Sequence, residues 1–395
     1  MVFRPTRGDG PARNGPGVQH VPDIGPANIP ASFYTDVSRY ELERTLVFRR
    51  SWIVVGRTDE LAAPGDHMVW EGHGETIVIT RSPGDGGDGG GAAFTGFHNV
   101  CQHRGARLVR PNADYSCVGS GARRFTCSWH GWVYDTCGAV VGVPDREDFA
   151  DEQINGVCAP RVAVETWGGW IWVYLDPHAA MPSLTDWLGT EVANDLGRYE
   201  MERMRVHAKE TIELDVNWKV VVDGFNEMYH IDALHHVRPQ DVKDGRESSF
   251  FVFGRNSMMI VPLGPGLRQL RDTGDHLDAA ICHYVVFPNS VFNNGPLDVQ
   301  LFHPVPLSAT RTRFECWNLV YDHERGGADD EYDALVDRHW SGLRQIVAED
   351  VSIFGEVNAT RDSLGYRENR FNERECKPTA FHQHIDAIIN GGIEP

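Results

Sequence analysis

Two short stretches, "NVCQHRGARL" (Asn99–Leu108) and "FTCSWHGWVYD" (Phe125–Asp135), narrow what this chain can fold into more than any other feature. Each sets one cysteine beside one histidine, Cys101 with His103 and Cys127 with His130, and each follows the pair with a glycine, Gly105 or Gly131. A loop that grips something tightly needs backbone conformations that only glycine adopts freely. The surroundings read as short strands. "WIVVGR", "HMVWEG" and "ETIVITR" are broken by "AAPGD" and by the glycine-rich "SPGDGGDGGG", and "GWIWVYLDP" resumes the pattern. The glycine run lacks the Gly-Lys-Ser/Thr ending of a phosphate loop and reads as a hairpin tip. A compact all-β unit of roughly one hundred residues is expected.

Two cysteines and two histidines suit a metal, and zinc is one reading. Zinc fingers, however, pair Cys with Cys and His with His along the chain. Here each loop carries one of each, so two loops can pinch a binuclear iron cluster with thiolates on one iron and imidazoles on the other. The eight cysteines include Cys117, a poor rival for Cys127 because no histidine stands three residues later. In a chain of 395 residues with no export signal they do not read as a disulfide framework.

Beyond Pro177 the texture changes. Helical patterns around Trp187–Leu196, Trp218–His236 and Asp333–Val357 alternate with strand-like runs such as "SFFVFG", "SMMIVPL" and "VQLFHPVPL". A second domain follows, with helices set against an antiparallel sheet. His230 and His235 lie five apart, about 140° around an ideal helix, and share a ligand only if the helix breaks or bulges between them. Far downstream, Leu343, Ile346, Val347, Val351, Ile353, Phe354 and Val357 form one apolar helical stripe with Asp350 near its middle, while Glu349 and Glu356 fall toward the polar side. A buried carboxylate needs a cation or a proton. Two histidines and one carboxylate, His230, His235 and Asp350, make the facial set of mononuclear non-haem iron. The segments "FFVFGRNSMMIVPLG" and "CHYVVFPNSVFNNG" read equally as pocket lining or as core strands.

"CQHRGARL" and "FTCSWHGWVYD" resemble the paired loops of the Rieske domain of ring-hydroxylating oxygenases. "NWKVVVDGFNEMYHIDALH" is similar to the iron-binding segment of Rieske oxygenase α subunits, where N-W-K and E-x-Y-H-x4-H recur. The likeness runs from about Phe33 to the terminal "FHQHID"; one departure is a spacer of twenty-three residues between His103 and Cys127, longer than is usual in the family. The resemblance implies an α+β chain: an all-β Rieske 2Fe-2S domain plus a catalytic domain with an antiparallel sheet and flanking helices, of helix-grip type. The expected organisation is an extended or disordered arm over 1–30 and a helical segment over 31–50 packing with the catalytic domain. A Rieske domain over 51–165 and a catalytic domain over 166–395 complete it.

The cofactors implied are a Rieske cluster on Cys101, His103, Cys127 and His130, and a mononuclear Fe(II) on His230, His235 and Asp350. NAD(P)H serves indirectly, through a reductase and in some systems a ferredoxin. Glu227, three before the first iron histidine, corresponds to the family's acidic bridge between the two centres, its implied partner being His130 of the partner subunit. Asp223, one turn earlier, is expected to tune the site by touching a ligand side chain. The implied activity is mono- or cis-dihydroxylation of an aromatic or other hydrophobic small molecule, as in aromatic hydrocarbon catabolism. Oxidative O- or N-demethylation and a non-catalytic electron carrier are the alternatives. A homotrimer is implied, with or without a β subunit. A net charge of −19 argues against nucleic acid or an anionic membrane as partner, no apolar run reaches membrane-spanning length, and a cytoplasmic setting is expected.

Overall fold

The computed structural model describes residues 20–82, 94–110, 116–176, 178–235, 247–264, 266, 270, 273, 275–321 and 330–393. Most of the glycine run and residues 1–19 of the N-terminal arm lie outside that set. The chain forms two compact units, one of Phe48–Leu184 and one joining the residues up to Val47 with Thr185–Pro395.

In the first unit, strands β1 (Trp52–Arg57), β2 (His67–Gly72), β3 (Glu75–Arg81), β4 (Phe94–His98), β5 (Ser116–Gly119), β9 (Arg161–Trp167) and β10 (Trp170–Tyr174) make one sheet, ordered β1-β10-β9-β4-β3-β2-β5. A three-stranded sheet holds β6 (Arg124–Thr126), β7 (Val133–Asp135) and β8 (Val140–Gly142). "WIVVGR" and "WIWVY" are buried at every position, as in strands covered on both sides. The sequence boundary after residue 165 therefore cuts this sheet. β10 lies between β1 and β9, and the unit closes only at Leu184.

The second unit is built on a seven-stranded antiparallel sheet of β11 (Met204–Leu214), β12 (Ser249–Phe253), β13 (Asn256–Pro262), β14 (Ala280–Val286), β15 (Ser290–Asn294), β16 (Asp298–Ser308) and β17 (Arg311–Tyr321). Its order is β11-β17-β16-β15-β14-β13-β12. Helices α1 (Trp218–Gly224), α2 (Ile231–Leu234), α3 (Asp330–Thr360) and α4 (Cys376–Ile389) accompany it. Phe225, Phe302, Phe314, Val347 and Phe354 share one core cluster that joins α1 and α3 to the sheet. Gly224 permits the close approach, since a Cβ there would meet the Phe354 ring at 3.0 Å. At the end of the arm, Ala27–Pro30 is extended and pairs as a strand with Glu368–Phe371. The following helical segment packs into the catalytic unit. Glu43 is fully buried, accepts from Lys219 Nζ at 2.6 and 2.7 Å, and accepts from Trp218 Nε1 at 3.0 Å.

Candidate metal centres

The two Cys/His loops close by the same backbone pattern. In the first, Cys101 N–H donates to Ala106 O and Gly105 N–H to Cys101 O, at 2.8 and 2.9 Å. In the second, Cys127 N–H donates to Trp132 O and Gly131 N–H to Cys127 O, at 2.8 and 3.0 Å. Both glycines sit at positive φ, +76° and +74°, where other L-residues are strained. Asn99 clasps the first loop from behind, its Oδ1 accepting from Leu108 and Val109 N–H.

Both cysteines are buried in one core cluster and unbridged. Tyr134 Oη donates to Cys101 Sγ at 3.3 Å and accepts from Gln102 N–H at 2.8 Å. Burial first, then that contact with Cys101, push the Tyr134 phenol up. The His103 and His130 rings meet with centroids 4.5 Å apart, and His103 stacks on Trp132. Among the described residues His103 Nδ1 is buried without a hydrogen-bond partner. Two thiols, two facing imidazoles and an orphaned ring nitrogen fit a Cys2His2 iron–sulfur pair.

The second site forms where the expected helix over Trp218–His236 fails to run through. Among the described residues α1 ends at Gly224, and a separate one-turn helix, α2, begins after His230. His230 opens that turn and His235 leaves it in extended conformation (φ −81°, ψ 115°). The break thus brings together rings that a continuous helix would splay, at a centroid separation of 5.1 Å. Asp350, 4 % exposed, faces both: its Oδ1 lies 3.6 Å from His230 Nε2 and 3.5 Å from His235 Nε2. One ligand atom from each of the three lies within 4.8 Å of the others.

Each imidazole is held from behind by a carboxylate. Glu227 accepts from His230 Nδ1 and caps the turn through Tyr229 and His230 N–H. Glu349 Oε2 lies 2.8 Å from His235 Nδ1. Both contacts leave Nε2 directed at Asp350, the carboxylate–histidine–metal pattern. Burial pushes the Asp350 carboxyl up to about 7, against the pull of His230 and with Glu227 and Glu349 adding to the rise. Burial lowers His230, but the Glu227 hydrogen bond and charge, with Asp350, outweigh it and lift the imidazole above its ordinary value. His235 is held down, burial outweighing its bond to Glu349. Burial thus disfavours charge on Asp350 and His235, and a bound dication would reverse that for the carboxylate.

Three expectations change here. Asp223 turns away to another group, accepting from Tyr34 Oη at 2.7 Å and meeting His382 Nε2 at 3.0 Å. Glu349, assigned to the polar side of the stripe, holds His235 instead. Its position next to Asp350 was a usable signal, because a metal-binding histidine so commonly carries a carboxylate on its second nitrogen. Ile353, counted in the stripe, is exposed.

One chamber adjoins the triad, and a second shares part of its wall. The first, of about 90 Å³, is lined by the three ligand candidates with Phe225, Met228, Val261, Phe302 and Val347 among others. The second, of about 290 Å³, runs between α3 and the sheet, past Leu263, Leu297, Asp298, Gln300, Leu335 and Arg338. Ile281, Asn293, Leu343 and Ile346 line both. Strand alternation reconciles the two readings of the apolar segments: Ile281 and His283 face the chambers while Cys282 and Tyr284 are fully buried.

Residues 51–161 match the family described as Rieske [2Fe-2S] domain, and residues 201–391 match ring hydroxylating alpha subunit (catalytic domain). The chain is 26% identical over 342 residues to the carnitine monooxygenase oxygenase subunit of Escherichia coli K12, covering 86% of this chain and 85% of that one. It is 28% identical over 318 residues to a benzene 1,2-dioxygenase subunit alpha of Pseudomonas putida, covering 70% and 67%. Its fold matches that of a quaternary ammonium Rieske monooxygenase crystallised with L-carnitine, at TM-score 0.72 and 22% identity over 94% of this chain and 99% of that one. The chain belongs to the Rieske oxygenase α subunits, oxidoreductases that incorporate molecular oxygen using a [2Fe-2S] cluster, a non-haem iron and electrons from a reductase.

Proposed function

We propose that this chain is the terminal component of an oxygenase that hydroxylates an uncharged, largely apolar small molecule. The carrying observation is the triad at the end of a chamber walled by Phe225, Met228, Val261, Phe302 and Val347 and continuous in its lining with the larger one. Apolar walls with a few placed polar groups are how small-molecule sites are built. When bound, the cluster supplies single electrons and the mononuclear iron activates dioxygen. His230, His235 and Asp350 hold the iron; Cys101, Cys127, His103 and His130 hold the cluster. Glu227 and Glu349 accept the Nδ1 protons, fix the tautomers and aim Nε2 inward. The apolar wall excludes water.

A quaternary ammonium substrate of the kind named for the carnitine relative is less well served by the larger chamber. Recognition of a quaternary ammonium normally uses aromatic faces. Among the described residues lining the larger chamber there is no Phe, Tyr or Trp, and Asp298 and Arg338 bring one charge of each sign; the aromatic faces, Phe225 and Phe302, wall the smaller chamber.

The assembly proposed is a homotrimer in which Glu227 links the iron site to His130 of the partner subunit. It is supported by exposed aromatics beside each end of that link, Trp129 next to His130 and Tyr229 next to His230. Oxygen uptake with product analysis across arenes, aryl ethers, terpenoid or steroid acids and carnitine tests the function. Hydroxylated product from an uncharged apolar member is expected; turnover of carnitine alone would overturn the reading.

A further inference from the structure

The two chambers meet over a strip of sheet that is polar where its neighbours are apolar. β14, β15, β16 and β17 are adjacent, and their register sets His283 opposite Asn293, Asn293 opposite Gln300, and Gln300 opposite Asn318. Directly opposed residues share a face, so four strands carry one continuous polar row. Asn293 is 8 % exposed and Gln300 2 %. Asn293 Nδ2 donates to Gln300 Oε1 at 2.5 Å, but among the described residues Asn293 Oδ1 has no partner. An unsatisfied buried acceptor is destabilising, and an apolar side chain of the same size would avoid that cost. The cost falls on one of the few residues that line both chambers.

We infer that Asn293 determines specificity: its free carbonyl accepts a hydrogen bond from a hydroxyl or N–H of the substrate, whose apolar body lies on Ile281, Leu343 and Ile346. Resting on the function proposed above, this narrows the substrate class to uncharged apolar molecules carrying a hydrogen-bond donor. Gln300 is a positioning residue, because by holding Nδ2 it fixes the carbonyl's direction. Because the acceptor is already buried and unpaired, a donor-bearing ligand gains a hydrogen bond that its methyl isostere cannot make.

The test is equilibrium binding to the intact, iron-loaded protein under anaerobic conditions, so that no turnover intervenes. The probes are two matched pairs, p-cresol with p-xylene and benzyl alcohol with ethylbenzene, and tetramethylammonium. In the wild type each alcohol or phenol is expected to bind about tenfold more tightly than its hydrocarbon partner, a difference of ~1.4 kcal/mol. Asn293→Leu should bring each pair within about twofold by weakening only the donor-bearing member. Equal affinities in the wild type, which needs no variant to fold, would overturn the inference and leave the function standing. So would a preference that survives Asn293→Leu. Binding of tetramethylammonium with none of the aromatic probes would defeat the function and the inference together.

Discussion

The two candidate iron sites are assembled in opposite ways. The cluster site is local: two hairpin loops, each supplying a thiol and an imidazole, each closed by its own backbone hydrogen bonds and a glycine at positive φ. The mononuclear site is distributed. His230 and His235 come from either end of a single helical turn, and Asp350 arrives on α3 after the whole of the catalytic sheet. A local site depends on the conformation of a few residues. A distributed site depends on the packing that brings its elements together, here the contact of α1 and α3 through Gly224, Phe225 and Phe354.

Removing a ligand from the local site sharpens the contrast most. Cys127→Ser should abolish the cluster's visible absorbance and NADH-dependent turnover and destabilise the first unit, because the thiol is part of a buried core. The second unit should keep its mononuclear iron, as metal analysis would show. Loss of both metals would mean that the two sites are not independent.

Next comes the supporting shell of the distributed site. Glu349→Gln should weaken mononuclear iron affinity about 10–100-fold, the usual cost of losing a carboxylate behind a metal-binding histidine, with the cluster spectrum unchanged. Competition with a chelator measures it. An unchanged affinity would return Glu349 to the polar side of the helix.

A smaller effect is expected from the backbone of the second loop. Gly131→Ala places a Cβ at φ +74° and 3.2 Å from Pro144 Cγ, and should cost about 1–2 kcal/mol in denaturant unfolding of the cluster-bearing unit. Gly105→Ala has the same φ penalty with open space around the Cβ and should cost less. Equal, negligible effects would remove the argument for strain.

The smallest effect is a pH slope in the distributed half. His339 on α3 pairs with Asp298 on β16 at 3.3 Å, and that hydrogen bond lifts the imidazole above its ordinary pKa despite burial. A raised folded value means the pairing contributes fully below the ordinary imidazole pKa and is lost as pH rises through the raised one. The contribution should be below about 1 kcal/mol, and His339→Gln should flatten the slope of stability against pH. A slope that persists in the variant would assign it elsewhere.

This difference in assembly also explains what could be read from the sequence. Cys101, His103, Cys127 and His130 announce themselves because ligand and turn glycine stand together in the chain. The strands around them follow from apolar runs. Asp350 was legible as a carboxylate inside an apolar stripe. What escaped was set by tertiary packing. The helix break ahead of His230 has no breaker residue other than Gly224, whose role depends on a phenylalanine 130 positions later. Asp223 sits one turn before Glu227 yet faces Tyr34 and His382, which reach it from the two ends of the chain. Asn293 and Gln300 look like ordinary strand polar residues until register sets them side by side.

The most direct test of two unlike iron sites in one chain is an iron and sulfide count on purified protein and on Asp350→Ala. Three irons and two sulfides are expected in the wild type, with the variant losing one iron and keeping the paramagnetic signal of a reduced Rieske cluster. A variant that keeps all its iron, or loses the cluster with it, would contradict the account.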